Sequence, residues 1–168
     1  LTHLVDLRVS AKITGEVSVA ADLGNPKKAL NVSAILDLLT GVTAGKADLV
    51  FADTRTLTAS STESLDLAGG LTDAFGAAIT FVEVVAILIK PASGNTNNVL
   101  VGGAASNGFA TPFGDASDVI KVTPKGFLML VSDEGYAVTA GTGDLLKIAN
   151  SGSGSSVTFD IVIVGRSA

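Results

Sequence analysis

Short apolar runs of alternating or β-branched character recur along the whole chain, separated by clusters of turn residues. The densest run, residues 77–90, holds eleven apolar residues in fourteen, with Glu83 inside it and Lys90 and Pro91 at its end. A membrane-spanning helix needs about 18 to 20 apolar residues in succession, so this run is too short to span. Ile79, Thr80, Val82, Val84, Val85, Ile87 and Ile89 are β-branched, stiff at χ1 and suited to a pleated surface. The run therefore reads as a strand, which Pro91 terminates because it cannot donate to a ladder. Its near-continuous apolarity predicts cover on both faces, by a second sheet and a neighbouring loop or by a neighbouring subunit.

The rest of the chain repeats this grammar. Strand-like runs occur at 3–10, 13–20, 47–57, 61–67, 98–102, 118–123, 126–132, 144–150 and 156–165. Between them lie Gly24-Asn25-Pro26, Gly69-Gly70, Gly102-Gly103, Pro124-Lys125-Gly126, Gly141-Thr142-Gly143 and the Ser/Gly stretch 151–156, residues that supply a positive or preset φ. Strands at this spacing predict an all-β fold, an antiparallel β-sandwich of jelly-roll-like kind with about 8 to 10 strands, in one domain over 1–168. Residues 29–39 alternate as a strand through Leu30, Val32, Ala34, Leu36 and Leu38, while Val32, Ile35, Leu36 and Leu39 also make a helical stripe; the strand is the preferred reading. Residues 1–20, with Leu4, Val5, Leu7, Val9, Ile13, Val17 and Val19, read either as two strands of the sandwich or as an extended N-terminal arm that pairs with a neighbour.

Composition sharpens the second possibility. Apolar residues make up 47% of the chain and charged residues 16%, against about 25% charged in an ordinary soluble domain. Either part of the surface faces other protein chains, or the surface is rich in Gly, Ala, Ser and Thr. The net charge is −5 and no basic cluster exceeds Lys27-Lys28, so the stripe a nucleic-acid partner requires is missing. With no cysteine there are no disulfides and no thiolate metal ligands. No basic segment followed by an apolar one marks Leu1 as the start of a secretory signal.

Candidate chemistry is sparse. The one histidine, His3, lies near the start of the sequence and reads as a surface or interface residue rather than a base. Residues 41–47 differ from a phosphate-binding loop by one residue between the glycines and by Ala47 where a hydroxyl should hold magnesium. The acid pairs Asp115 with Asp118 and Asp133 with Glu134 fall short of the four or more oxygens calcium requires, and read as turn caps. Asn31-Val32-Ser33 is a glycosylation tripeptide inside an apolar run and reads as chance. The stretch 102–118 lacks a clear strand and carries Phe109 and Phe113, which either anchor a partner chain or plug one end of the sandwich. No catalytic, cofactor-binding or metal residue is assigned. Leu4, Val5, Leu7, Val9, Phe109 and Phe113 are the candidate interface residues.

Three stretches, 51–81, 95–109 and 135–165, together resemble a family of small tailed-bacteriophage virion structural proteins. The similarity is one of running text over roughly residues 47–165 and includes no catalytic signature. It implies a capsid decoration or cement protein, not an enzyme, without cofactor, nucleic-acid or membrane partner. Such a protein binds the major capsid protein lattice as a homotrimer or other symmetric homo-oligomer, and resides in virions assembled in the bacterial host cytoplasm. A tail or fibre component that binds a host receptor or glycan is the alternative the same resemblance leaves open.

Overall fold

Val157, Phe159, Ile161 and Ile163 alternate with Thr158, Asp160 and Val162 along the last strand, and that alternation places the core. The computed structural model describes residues 6–168. In chain order the strands are β1 (Leu7–Ser18), β2 (Lys27–Thr40), β3 (Lys46–Ala47), β4 (Leu49–Leu57), β5 (Thr62–Asp66), β6 (Leu71–Thr72), β7 (Ala78–Ile79) and β8 (Glu83–Pro91). There follow β9 (Val99–Gly102), β10 (Val119–Val122), β11 (Leu128–Ala137), β12 (Leu145–Asn150) and β13 (Val157–Arg166). None of the described residues is helical, and none of them forms a helix that could cross a membrane.

Two four-stranded antiparallel sheets make the body, one in the order β11-β8-β13-β4 and the other β10-β9-β12-β5. Their facing sides carry Phe51, Ile87, Ile89, Phe159, Ile161 and Ile163 from the first and Leu65, Val99, Val101, Val122, Leu146 and Ile148 from the second. The predicted antiparallel β-sandwich is therefore the observed architecture. The outward side of the second sheet is mixed, with Thr62, Ser64, Lys121 and Lys147 beside Leu100, Val119 and Leu145. The outward side of the first is polar only at one end, where Thr54 donates to Asp160 and the Thr56 and Thr158 hydroxyls meet. At the other end it is apolar, through Val50, Ala86, Leu88, Val162 and Val164.

The run 77–90 forms two strands rather than one. Phe81 N–H donates to Leu67 carbonyl and Val82 N–H to Arg166 carbonyl, so the chain changes partners at 80–82 and β8 starts at Glu83. Ala86 pairs with Val164 but Val84 pairs with Gly165, which leaves Val85 as a bulge residue. The bulge turns Val84 into the central core and Val85 to the opposite face, where both are buried. Unbroken apolarity here thus reports burial on both faces, as the sequence predicts, with the second sheet on one side and the root of β1–β2 on the other. Gly165 fits this crossing because a Cβ there would lie 2.2 Å from Glu83 carbonyl oxygen and 2.6 Å from Phe81 Cδ1.

β1 and β2 stand apart from the sandwich. They pair antiparallel through twelve positions, from Leu7 with Leu38 to Ser18 with Lys27. Residues 29–39 are strand throughout. Residues 7–18 form one continuous strand in place of two, because Ala11 to Gly15 stay in the ladder with β2. The extended feature is consequently a hairpin of residues 7–40, wider in sequence than the predicted 1–20 segment.

Candidate association surface

Cross-strand register sorts the hairpin's side chains onto two faces. One face carries Leu7, Val9, Ala11, Ile13, Gly15 and Val17 opposite Leu38, Leu36, Ala34, Val32, Leu30 and Lys28. The other carries Arg8, Ser10, Lys12, Thr14, Glu16 and Ser18, opposite Asp37, Ile35, Ser33, Asn31, Ala29 and Lys27. The first is apolar along nearly its full length and the second is mostly polar.

The apolar face is covered only at its root. Leu38 is fully buried, and Leu7, Val9 and Leu36 pack with it on Val50, Val85, Ala86, Val162 and Val164 of the body. Farther out the cover ends: Ile13 is 67% exposed, Val17 65% and Val32 60%. At a normal strand rise the hairpin is roughly 37 Å long, and about 25 Å of it is a bare two-stranded ribbon. Two strands without a packed layer are marginal in water, and the described residues supply no such layer over this ribbon. Covering its uncovered valines, leucine and isoleucine is worth on the order of 5 kcal/mol.

A buried arginine holds the link that follows the hairpin. Arg166 is 2% exposed and donates from Nε to Lys46 carbonyl at 3.0 Å, and from Nη1 to Glu83 Oε2 at 2.5 Å and Glu134 carbonyl at 3.2 Å. Its Nη2 donates to Asp133 carbonyl. Four residues, 132–135, loop out of β11 between Val131 and Tyr136 to present those carbonyls. Gly45 N–H donates to Asp133 Oδ1 at 2.6 Å, and Leu39 N–H to Gly45 carbonyl at 3.2 Å. The link from β2 to β4 is thereby tied to the body on both sides. On the polar face of the root, Arg8 grips Asp37 with Nε to Oδ1 at 2.6 Å and Nη2 to Oδ2 at 3.2 Å. That hydrogen bond, aided by the ion-pair attraction, holds the Asp37 carboxyl below its ordinary range and raises Arg8.

A groove of about 270 Å³ runs beside the root, walled by Leu7 to Ser10 of β1 and floored by Leu88, Met129, Val162 and Val164. It opens on the β1 side, and β1 is the outer strand of its sheet. The β2 side differs, since β3 pairs with β2 at Leu39 and Thr40 and Pro26-Lys27-Lys28 leads into its other end.

Of the candidate interface residues, Leu7 and Val9 sit at the root against the body's outer face. Leu4, Val5 and also His3 lie outside the described residues. Phe109 is 2% exposed within the central core, and Phe113 packs on the same core with its ring over Gly102, so the two rings close one end of the sandwich. The structure does not bring them near Leu7 and Val9. Leu30 and Val32 of β2 complete the apolar face, and the signal for them was the matched alternation of 7–18 and 27–40 about Gly24-Asn25-Pro26.

Asp115 and Asp118 cap local structure, whereas Asp133 makes a long-range contact and Glu134 contributes its backbone carbonyl. Asp115 Oδ1 accepts from Ser117 N–H and hydroxyl, which lowers its pKa, and Asp118 Oδ2 accepts from Asp115 N–H at 2.8 Å. Asp133 and Glu134 serve Arg166 and Gly45. Among the described residues no three His, Cys, Asp or Glu side chains converge as a metal set. No protein-family model matches the chain, and no curated protein or solved structure is significantly similar to it.

Proposed function

We propose that this chain is a non-enzymatic assembly protein of a tailed-bacteriophage virion, a decoration or cement protein that strengthens the head by binding the major capsid protein lattice as a symmetric homo-oligomer. The observation that carries the reading is the hairpin: a rigidly rooted ribbon whose apolar face leaves its own domain uncovered. Many weak contacts of this kind, summed over symmetry copies, give strong attachment without any single deep pocket. Supporting it are the shortage of charge and the textual resemblance over 47–165. The body's strand order, with β4 beside β13 and β5 beside β12, fits the jelly-roll pattern found among viral shell domains, an argument by fold analogy. In the tail or fibre alternative the loops 102–118 and 133–143 would read a host surface, and Phe109 of the first loop, being buried, would not serve as an exposed anchor there.

The test is reconstitution. Purified chain is added to capsids that lack it, and bound copies are counted by electron microscopy and co-sedimentation. The expected result is saturable binding at symmetry-related sites and greater resistance of the shell to heat. Capsids that stay bare at saturating protein contradict the proposal.

A further inference from the structure

We propose that the bare half of the hairpin pairs with the same half of a second copy, β1 edge to β1 edge across a two-fold axis. The four strands then form one sheet whose apolar face closes over both bodies. This deepens the association reading above by naming the first partner of the surface as the chain itself.

Three observations select a second copy. The first is area. The bare ribbon is a strip of about 25 by 10 Å, roughly 250 Å² in plan. A stable interface takes about 800 Å² of accessible surface per partner, so one strip laid on a foreign surface falls well short. A two-fold exchange counts each strip and each receiving surface, which doubles the contact per chain and brings it into range once surface relief is included. The second is the receiving surface. The groove of about 270 Å³ lies beside β1, with an apolar floor of Leu88, Met129 and Val162, where an antiparallel neighbour of β1 would lay its tip. The chain already packs this hairpin face on this sheet face at its own root, through Leu7 and Val9 on Ala86, Val162 and Val164.

The third is charge and register. Antiparallel pairing keeps both apolar faces on one side only when odd positions meet odd positions. The register that sets Thr14 opposite Thr14 of the second copy meets this condition. It also places Lys12 of each chain across from Glu16 of the other, twice, on the solvent face, and Ala11 across from Val17 on the apolar face. Long unpaired edges are templates for pairing with another chain, and β1 carries neither a proline nor a bulge to prevent it.

The chain has no cysteine, so single substitutions give unique thiols. Sedimentation equilibrium of the full chain is expected to give a dimer, and Ile13→Asp to weaken it about 100-fold by forcing an unpaired carboxylate into the strip, with an unchanged β-sheet circular dichroism spectrum. Under mild oxidation Thr14→Cys should form a covalent dimer, while Leu23→Cys at the hairpin turn should not. Lys12→Glu should weaken the dimer, and the double variant Lys12→Glu/Glu16→Lys should restore it. A monomer at about 100 μM, a trimer mass, or faster cross-linking of Leu23→Cys than of Thr14→Cys overturns the proposal. A chain that dimerises but leaves capsids bare overturns only the virion reading, whereas a monomer that still decorates capsids overturns this proposal and leaves the capsid-binding reading standing without its homo-oligomer.

Discussion

The body and the hairpin use the same two-residue alternation and reach opposite ends. In β13 the inward positions Val157, Phe159, Ile161 and Ile163 meet a second sheet and are all buried. In β1 the matching positions are covered at Leu7 and Val9 and bare at Ile13 and Val17. The side chains are of one kind, so burial is decided by whether a second layer stands opposite, and β1 outruns the layer that the described residues supply. A pattern that is core in the body is therefore left exposed in the hairpin. The charge shortage of the chain does not lie in the hairpin, where residues 7–40 hold seven charged residues in 34, but in the body, where residues 41–168 hold 19 in 128.

Substitutions that separate the two regions test the contrast. The largest effect belongs to the body. Phe159→Ala should lower the unfolding free energy by about 3 to 5 kcal/mol, while Ile13→Ala, measured by urea unfolding at a dilution where chains are separate, should stay within about 0.5 kcal/mol of the parent. Equal losses at both positions would erase the distinction. Next is the joint between them: Arg166→Met should cost about 3 kcal/mol, because it strips three carbonyls and Glu83 of one buried donor group, and should open the 41–47 link to proteolysis. Gly165→Ala should cost about 2 kcal/mol in the same assay, since the new methyl group meets Glu83 carbonyl and the Phe81 ring.

The smallest effect concerns the root. Asp37 is held below its ordinary value by Arg8, so its contribution is present above the unfolded carboxylate value near 3.9 and fades as pH falls through the lowered value. Both groups are exposed, and the expected outcome is faster amide exchange in the hairpin root on acidification with the body unchanged, read by NMR. Exchange that is independent of pH after correction for intrinsic rates would show that the pair does not steady the root.

Several strands of the body were legible because they are short, rich in apolar residues and set between turn clusters, so that 144–150 and 156–165 emerge within a residue or so of β12 and β13. Residues 29–39 were ambiguous because strand and helix periods share Val32 and Leu36. Only the partner strand, lying across Gly24-Asn25-Pro26, decides between them. The break at 80–82 was hidden because it depends on hydrogen bonds to Leu67 and Arg166, far away in sequence. The proposed interface was half visible: Ile13 and Val17 belonged to the apolar positions of the 1–20 segment, though not to the six candidate interface residues, whereas Leu30 and Val32 join them only through register. Phe109 and Phe113 show the reverse, since aromatic rings in a long loop carry no mark that says whether they turn outward or in.

Whether the bare strip is covered by protein is tested most directly by hydrogen exchange on the full chain over a range of concentrations. Protection of β1 amides between Ala11 and Ser18 should rise with concentration while β13 amides stay as they are. Hairpin protection that is the same in dilute and concentrated samples would contradict the account.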